Sequence, residues 1–152
     1  MATLYRIGII SDTHGLLPKN IFDIFKDVDQ IIHAGDIGSE DILVELATIA
    51  PVAAVYGNMD GFGIRKKTKE RLEFQKHGFN FIVSHFPGER VPEQESTILI
   101  NGHTHHPKIL KMNNSFLINP GSASQPRGKA ERSVALLSIA APGQADVDLV
   151  RF

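Results

Sequence analysis

The chain has 152 residues, the length of one domain, and its 16 basic and 17 acidic residues leave a net charge of −1. It contains no cysteine, which excludes a disulfide framework and a thiolate zinc site. No apolar run approaches the roughly 20 residues of a membrane span, and Ser11 and Asp12 interrupt the first one too early for a signal peptide. We therefore expect a cytoplasmic protein with no membrane partner, folded as a single domain over residues 1–152.

Positive charge is concentrated locally in a run of four basic residues, Arg65, Lys66, Lys67 and Lys69. A nucleic-acid-binding domain usually carries a strong positive net charge, which this chain lacks. We therefore interpret the run as part of a solvated loop over residues 62–69, and we expect no nucleic-acid partner.

The first third of the chain alternates short apolar runs with helical patterns. Buried strands are predicted over residues 5–10, 30–34 and 52–56. Between them, Pro18 opens one amphipathic helix and Ser39 caps a second. Strands and helices in alternation are typical of βαβ units, so we expect a parallel sheet here.

The rest of the chain is predicted to form strands, most of them paired through turns. A buried strand covers residues 97–100, and a loop or short helix precedes it over residues 86–95. Three hairpins join residues 71–76 with 79–84, 109–112 with 116–118, and 133–139 with 145–150. Together the elements predict one α/β domain with a mixed, two-sheet core.

Five of the predicted strands end in small polar clusters. These are Asp12-Thr13-His14, Gly35-Asp36, Gly57-Asn58-Met59-Asp60, Ser84-His85 and Gly102-His103-Thr104-His105. In open α/β sheets, ligands bind beyond the carboxyl ends of the strands, so five separate segments can deliver side chains to one crevice. Taken singly, most of these clusters are also ordinary turns or helix caps, and it is their shared position at strand ends that favours a site.

The side chains in these clusters are typical ligands of divalent metal ions. Carboxylate, imidazole and amide donors are contributed by Asp12, His14, Asp36, Asn58, His85, His103 and His105. Seven ligands exceed the needs of one ion and suit two, and paired ions in hydrolases need a shared ligand. A carboxylate can bridge, which leaves Asp12 and Asp36 as the two candidates for the bridging residue.

The order of these motifs resembles that of the calcineurin-like metallophosphoesterase superfamily. The motifs are Asp-x-His, Gly-Asp, Gly-Asn-x-Asp, an isolated His, and Gly-His-x-His. The short length and the segment Asn119-Pro120-Gly121-Ser122 resemble its small prokaryotic phosphodiesterase branch. The resemblance implies two facing sheets, a β-sandwich, flanked by helices. It also implies two divalent ions, with Mn²⁺ first and Ni²⁺, Fe²⁺, Zn²⁺ or Co²⁺ as alternatives.

The resemblance also implies how the ligands are shared between the ions. One ion would take Asp12, His14, Asp36 and His105, and the other would take Asp36, Asn58, His85 and His103. Asp36 would then be the bridge and, with Asn58, a catalytic residue. Asp60 would support catalysis from behind the ligands.

Two positions depart from the family pattern. Many members carry a histidine after the motif asparagine, where it serves as general acid, whereas this chain has Met59; His106 is the nearest candidate in sequence for the missing acid. Members often have glycine after the isolated histidine, whereas Phe86 follows it here.

Arg127 is a candidate contact for the substrate phosphate, because a guanidinium matches phosphate oxygens. His33, inside a strand, is expected to pack in the interior or support the ligands.

These observations predict a metal-dependent phosphodiesterase in which a metal-bridging hydroxide attacks a phosphodiester in line. The alternatives are a phosphomonoesterase or nucleotidase, and a non-catalytic scaffold like the eukaryotic retromer subunit that resembles this superfamily. All seven ligand positions carry competent residues, which disfavours the scaffold. The expected partners are a small phosphate-ester substrate and, as a candidate, a second copy of the chain in a homodimer.

Overall fold

The computed structural model describes residues 4–92 and 96–152, which form two five-stranded sheets and three short helices. In chain order the elements are β1 (Tyr5–Ile10), α1 (Asn20–Ile24), β2 (Gln30–His33), α2 (Glu40–Ala47), β3 (Val52–Ala54), α3 (Phe62–Lys67), β4 (Arg71–Lys76), β5 (Phe79–Ser84), β6 (Thr97–Ile100), β7 (Lys108–Met112), β8 (Ser115–Asn119), β9 (Ser133–Ala141) and β10 (Gln144–Arg151). Within these two ranges, every helix is too short or too polar for a bilayer crossing.

Each sheet contains three adjacent parallel strands; one further strand, β9, runs in the opposite direction in the first sheet, and two, β4 and β7, do so in the second. The first sheet has the strand order β10-β9-β1-β2-β3, and the second has the order β4-β5-β6-β8-β7. In the first sheet β1, β2 and β3 run parallel, and in the second β5, β6 and β8 do so. Since parallel strands end at the same edge, three strand ends meet at one edge of each sheet. The predicted two-sheet α/β fold flanked by helices is confirmed.

Two apolar layers hold the sheets and helices together. Between the sheets, Ile9 of β1 shares a buried cluster with Phe81 of β5. On the other face of the first sheet, Ile10 packs in a second cluster with Ile21 of α1 and Leu46 of α2. Because both faces of β1 are covered over residues 7–10, this part of its sequence is a continuous apolar run rather than an alternating one.

Helix α3 replaces the solvated loop that the sequence predicted over residues 62–69. Ile64 is 5 % exposed and packs in the apolar cluster beneath the helices. Lys67 forms an ion pair with Glu40 of α2, with the charged atoms 2.8 Å apart. The loop prediction is wrong because one apolar anchor in so short a helix produces no helical periodicity.

The predicted boundaries differ from the observed ones at several ends. The helix expected to open at Pro18 begins at Asn20, and β3 ends at Ala54, before its predicted end. Ser39 caps α2 as predicted, because its hydroxyl accepts a hydrogen bond from the backbone N–H of Asp41 (3.3 Å). In the segment predicted as a loop or short helix, residues 86–92 form neither helix nor strand; its last part, residues 93–95, lies outside the described residues.

Replacement of Phe81 by alanine should destabilise the fold. Phe81 is fully buried between the sheets and stacks on Phe74, with ring centroids 5.0 Å apart. A buried Phe→Ala substitution leaves a cavity and costs about 3–5 kcal/mol of unfolding free energy. Denaturant unfolding measures this loss, and Phe62→Ala is the matched control because Phe62 is 82 % exposed. Equal losses in the two variants would contradict the core position of Phe81.

Candidate metal centre

The loops that follow the parallel strands of both sheets meet at one edge of the sandwich. In the first sheet, the backbone N–H of His14 after β1 donates to the carbonyl of Asp36 after β2 (2.9 Å). In the second sheet, the N–H of Gly102 after β6 donates to the carbonyl of His85 after β5 (3.0 Å). Backbone hydrogen bonds thus fix neighbouring loops in pairs, and the polar clusters that the sequence singled out lie together on them.

Five of the seven predicted ligands have a left-handed backbone conformation. Their φ angles range from 47° to 70°, and the residues are Asp12, His14, Asp36, His103 and His105. Positive φ is uncommon outside glycine, costs roughly 1–3 kcal/mol per residue, and is concentrated at functional sites. The surrounding structure therefore holds these residues in conformations that they would not adopt in a free loop.

The predicted ligands form two groups, each with one carboxylate and two imidazoles whose ligand atoms lie within 4.8 Å of one another. The groups are Asp12, His14 and His105, and Asp36, His85 and His103. Asp36 faces both groups, because its Oδ2 lies 3.3 Å from His85 Nε2 and 3.7 Å from His14 Nε2. Asn58 lies beside the second group, with its Oδ1 3.1 Å from His85 Nε2.

Main-chain carbonyls set the orientation of two imidazoles. His85 Nδ1 lies 2.8 Å from the carbonyl oxygen of Ala34, and His105 Nδ1 is hydrogen-bonded to the carbonyl oxygen of Gln125. Since a carbonyl oxygen only accepts, Nδ1 carries the proton in each ring, and Nε2 of the neutral ring holds a free lone pair. Each Nε2 lies 3.3 Å from a carboxylate oxygen. This is the orientation that a metal-binding histidine requires.

Asp12 is a buried carboxylate, and one of its oxygens lacks a hydrogen-bond donor among the described residues. Its Oδ2 accepts hydrogen bonds from Ser11 Oγ (2.6 Å) and from the backbone N–H of His103 (3.0 Å). Its Oδ1 accepts none from the described residues and faces His105 Nε2 at 3.3 Å. Burial raises the pKa of Asp12, because the ionised carboxylate has lost its water. A divalent cation bound to Oδ1 would offset that loss, so the donor set fits such an ion.

Asp36 and His85 stabilise each other's charged form. Burial opposes ionisation of Asp36, but hydrogen bonds from His85 and from the backbone N–H of Met59 (2.9 Å) lower the pKa of the carboxyl. Burial likewise opposes protonation of His85, but Asp36 and the carbonyl of Ala34 raise the pKa of the imidazole. Because a metal ligand must be deprotonated, a cation bound to both side chains would compete with protonation of His85.

Asp60 supports the loops rather than lining the ligand groups. Its Oδ2 accepts hydrogen bonds from the backbone N–H groups of Gly57 (2.8 Å) and Ile37 (3.2 Å), and its Oδ1 accepts one from Gly38 (2.9 Å). These bonds join the loop after β2 to the loop after β3. In the structure Asp60 is thus a positioning residue behind the ligands.

His33 is buried and neutral beneath the same loops. Its Nδ1 accepts a hydrogen bond from the backbone N–H of Gly35 (3.1 Å), so Nε2 carries the proton and donates to Thr13 Oγ1 (3.0 Å). Thr13 Oγ1 in turn donates to the carbonyl of Ile37 (2.8 Å). Burial lowers the pKa of His33 to about 3. His33 is therefore an interior residue that supports the ligand loops, as the sequence indicated.

A cavity of about 440 Å³ opens over the ligand groups. Arg127 and Met59 line it together with His14, Asp36 and His103. The Met59 side chain is 68 % exposed. The structure thus brings Arg127 and Met59 to the cavity over the predicted ligands.

His106 lies apart from this cavity. It is exposed, and it lines a neighbouring cavity of about 520 Å³ with Thr104 and Pro107. The structure therefore does not bring it to the cavity of Met59, whose missing acid it was expected to replace. Adjacency in sequence was misleading because His105 points inward, with 6 % of its surface exposed, while the next side chain points outward.

Several residues that hold the ligand loops were not predicted from the sequence. Ser122 Oγ donates to the carbonyl of Asp12 (2.7 Å), and Ser124 Oγ donates to the carbonyl of Thr13 (2.6 Å). The Asn-Pro-Gly-Ser segment that ends at Ser122 was the available signal. Phe86 was noted only as a departure from the family, yet its ring packs on two ligand histidines at centroid distances of 5.3 and 4.7 Å.

Proteins of similar sequence and fold identify the family. The profile of the calcineurin-like phosphoesterase superfamily domain matches residues 5–141. The chain belongs to this superfamily. A probable metallophosphoesterase of Methanothermobacter thermautotrophicus is 39 % identical over 95 % of this chain and 91 % of the relative. A phosphodiesterase of Methanocaldococcus jannaschii is 32 % identical over 76 % of this chain and 82 % of that protein.

The fold is also found in a protein that is named for vacuolar protein sorting rather than for phosphoesterase activity. Vacuolar protein sorting 29 from Cryptosporidium parvum superimposes with a TM-score of 0.76, at 19 % identity and with 98 % of both chains covered. At this identity the likeness concerns the fold alone. The resemblance inferred from the sequence motifs, including that to small prokaryotic members, is confirmed by the family match and the archaeal relatives.

Buried His33 predicts that the metal-free protein loses stability in acid. The pKa of His33 is about 3 in the folded chain and 6.5 ordinarily, so between these values the unfolded chain binds one proton more. The contribution of His33 to stability is therefore complete above pH 6.5 and is lost toward pH 3, by up to about 1.4 kcal/mol per pH unit. His33→Gln retains a donor and an acceptor but does not titrate, so its decline should be shallower. Denaturant unfolding at several pH values measures both, and parallel curves would contradict a neutral His33.

Proposed function

We propose that the chain hydrolyses phosphodiesters with two divalent ions held by the seven ligands. The observation that carries the proposal is the presence of two ligand groups around one shared carboxylate, because Asp36 faces His14 of one group and His85 of the other. Membership of the metallophosphoesterase family supports the reaction class, and the 32 % identical phosphodiesterase supports the type of ester.

Each ligand group would hold one ion. The first ion would bind Asp12, His14, Asp36 and His105, and the second would bind Asp36, Asn58, His85 and His103. When bound, the ions neutralise phosphate charge and make hydroxide available near neutral pH for in-line attack on phosphorus. Mn²⁺ is proposed first, and Ni²⁺, Fe²⁺, Zn²⁺ and Co²⁺ accept the same imidazole and carboxylate donors.

The protein itself contributes orientation and charge. The carbonyls of Ala34 and Gln125 hold Nε2 of His85 and His105 toward the carboxylates. Arg127 lines the cavity over the ligands and would bind the free oxygens of the ester, because its planar guanidinium matches them. The substrate phosphate would therefore lie between Arg127 and the two ligand groups.

Met59 bears on the type of ester. It lines the same cavity and has no proton to donate to a leaving alkoxide. General acid catalysis typically contributes 10²–10⁴-fold, and His106 lines a different cavity. We therefore propose an enzyme that favours good leaving groups and acts poorly on unactivated alkyl esters. The preference for a diester over a monoester is supported by the phosphodiesterase relative instead, because a missing acid handicaps both types of ester.

A binding scaffold is the second candidate, because vacuolar protein sorting 29 has the same fold. A scaffold is free to lose metal ligands, whereas this chain keeps two complete groups and the unpaired, buried Oδ1 of Asp12. Cleavage of an activated aryl diester by the metal-loaded protein, abolished by a chelator, separates the enzyme from the scaffold. Absence of turnover with every divalent ion proposed would favour the scaffold.

Metal-reconstituted protein should bind two divalent ions per chain, as elemental analysis would measure.

Asp36→Asn should lower turnover more than His14→Ala or His85→Ala, because a neutral amide at the shared position cannot balance two dications. The two histidine variants are the matched controls, since each removes a ligand of one ion. A saturating stoichiometry of one ion, or near-normal turnover in folded Asp36→Asn, would contradict the shared-carboxylate arrangement.

Met59→His should improve turnover of diesters with poor leaving groups more than of those with good ones. The new imidazole would enter the cavity beside the ligands and could protonate a leaving alkoxide. The measurement is the dependence of log kcat on leaving-group pKa, which should be steep in the natural protein and shallower in the variant. Equal slopes would show that residue 59 does not occupy the position of a general acid.

A further inference from the structure

A second cavity adjoins the metal centre and has no role in the proposed reaction. It has a volume of about 460 Å³, within the range of small-molecule pockets. Asn58 and His85, two of the predicted ligands, line it. One arm of a phosphodiester whose phosphate is bound at the metal centre could therefore extend into this cavity. The cavity lined by His106 has none of the predicted ligands in its wall. We call the first of these two cavities, lined by Tyr56, Arg65 and Phe86, the aromatic cleft.

One wall of the aromatic cleft is a stacked pair. The guanidinium carbon of Arg65 lies 4.6 Å from the centroid of the Tyr56 ring, a cation–π contact. Arg65 Nε donates to the carbonyl of Asp60 (2.7 Å), which fixes the plane of the guanidinium. Among residues 4–92 and 96–152, no acceptor pairs with its two terminal nitrogens. Arg65 therefore presents free donors beside an aromatic face.

Another wall is formed by Phe86, whose side chain is 55 % exposed. Its ring packs against His103 at a centroid distance of 4.7 Å, so one side of the ring is covered by a predicted ligand. The segment that follows it is tied to β4, because Arg71 pairs with Glu89 (2.7 Å). Phe86 thus offers a partly uncovered aromatic surface on a segment that is held in place.

We propose that the aromatic cleft binds a planar aromatic ring carried by one arm of the phosphodiester, either an aryl group or a nucleobase. This inference rests on the proposed function, since the phosphate would bind at the ligand groups. The exposed side of Phe86 provides an aromatic stacking surface, and the Arg65 guanidinium stacked on Tyr56 provides a second flat surface that attracts a π face. Arg65 donors and the carboxylate of Glu70, also in the wall, provide polar partners for ring substituents.

Binding of product monoesters tests the inference without requiring turnover. Phenyl phosphate is compared with methyl phosphate, and adenosine 5′-monophosphate with ribose 5-phosphate, by calorimetry on the Mn²⁺-loaded protein. Within each pair the phosphate group is matched, so the ratio of dissociation constants reports the ring alone. We expect the ring-bearing member of at least one pair to bind about tenfold more tightly. The pair with the larger ratio identifies the arm as aryl or nucleoside.

Substitutions at Phe86 assign the preference to the cleft. Phe86→Ala should reduce the ratio to near one, whereas Phe62→Ala removes an exposed phenylalanine outside the cleft and should leave it unchanged. Phe86→Leu keeps apolar contact with the ligand imidazoles while removing the aromatic face, so it should also reduce the ratio. It serves as the test if the alanine variant loses its metal.

The outcomes separate this inference from the proposed function. Ratios near one in both pairs, or a ratio that Phe86→Ala and Phe86→Leu leave unchanged, would overturn the ring site. If that result accompanies normal binding of methyl phosphate and normal cleavage of diesters, the proposed function stands. A metal-loaded protein that neither binds methyl phosphate nor cleaves any diester would instead overturn the proposed function.

Discussion

Asp12 brings a carboxylate into the junction between the two sheets, where water does not reach it. Its Oδ2 is paired from both sides, by Ser11 in the first sheet's loop and by the backbone of His103 in the second's. Its Oδ1 is buried and accepts no hydrogen bond from the described residues. Since burial of an ionised carboxylate without hydrogen-bond partners is costly, a cation held there would stabilise the sandwich. Metal binding at Asp12 and the stability of the folded chain are therefore linked, since the same buried carboxylate affects both.

The arrangement of the ligands is maintained by the chain's own hydrogen bonds. Left-handed conformations at five ligands cost free energy that must be offset nearby. Asp60 offsets part of it by accepting three backbone N–H groups, and the buried chain from Gly35 through His33 and Thr13 to a carbonyl offsets more. These supports lie outside the ligand set, so substitutions far from any reacting atom can displace the ligands. The site is as rigid as the loops beneath it.

The sequence predicted the fold well where a strand is buried on both faces, as in β6, because a continuous apolar run bounded by a turn has few alternatives. The metal ligands could also be predicted from the sequence, since each of them follows the end of a predicted strand. Helix α3 was missed because Ile64 alone anchors it. The direction in which His106 points could not be predicted, since neighbouring residues in a tight loop face different cavities. The carbonyls of Ala34 and Gln125 were missed because a backbone acceptor has no residue-type signal.

The two sheets are built from the chain in different ways. Strands β4 to β8 follow one another and form the whole second sheet, whereas β1 of the first sheet pairs with β9, through contacts such as Tyr5 opposite Ile139. On a ribosome, which releases the N-terminus first, the second sheet can therefore assemble while one edge of β1 still lacks its partner. That edge is apolar and open to pairing with other nascent chains until β9 emerges. Strand β9, which follows the whole second sheet in the chain, thus completes the sheet whose loops carry Asp12 and Asp36, so a chain truncated before β9 would leave this edge of β1 unpaired.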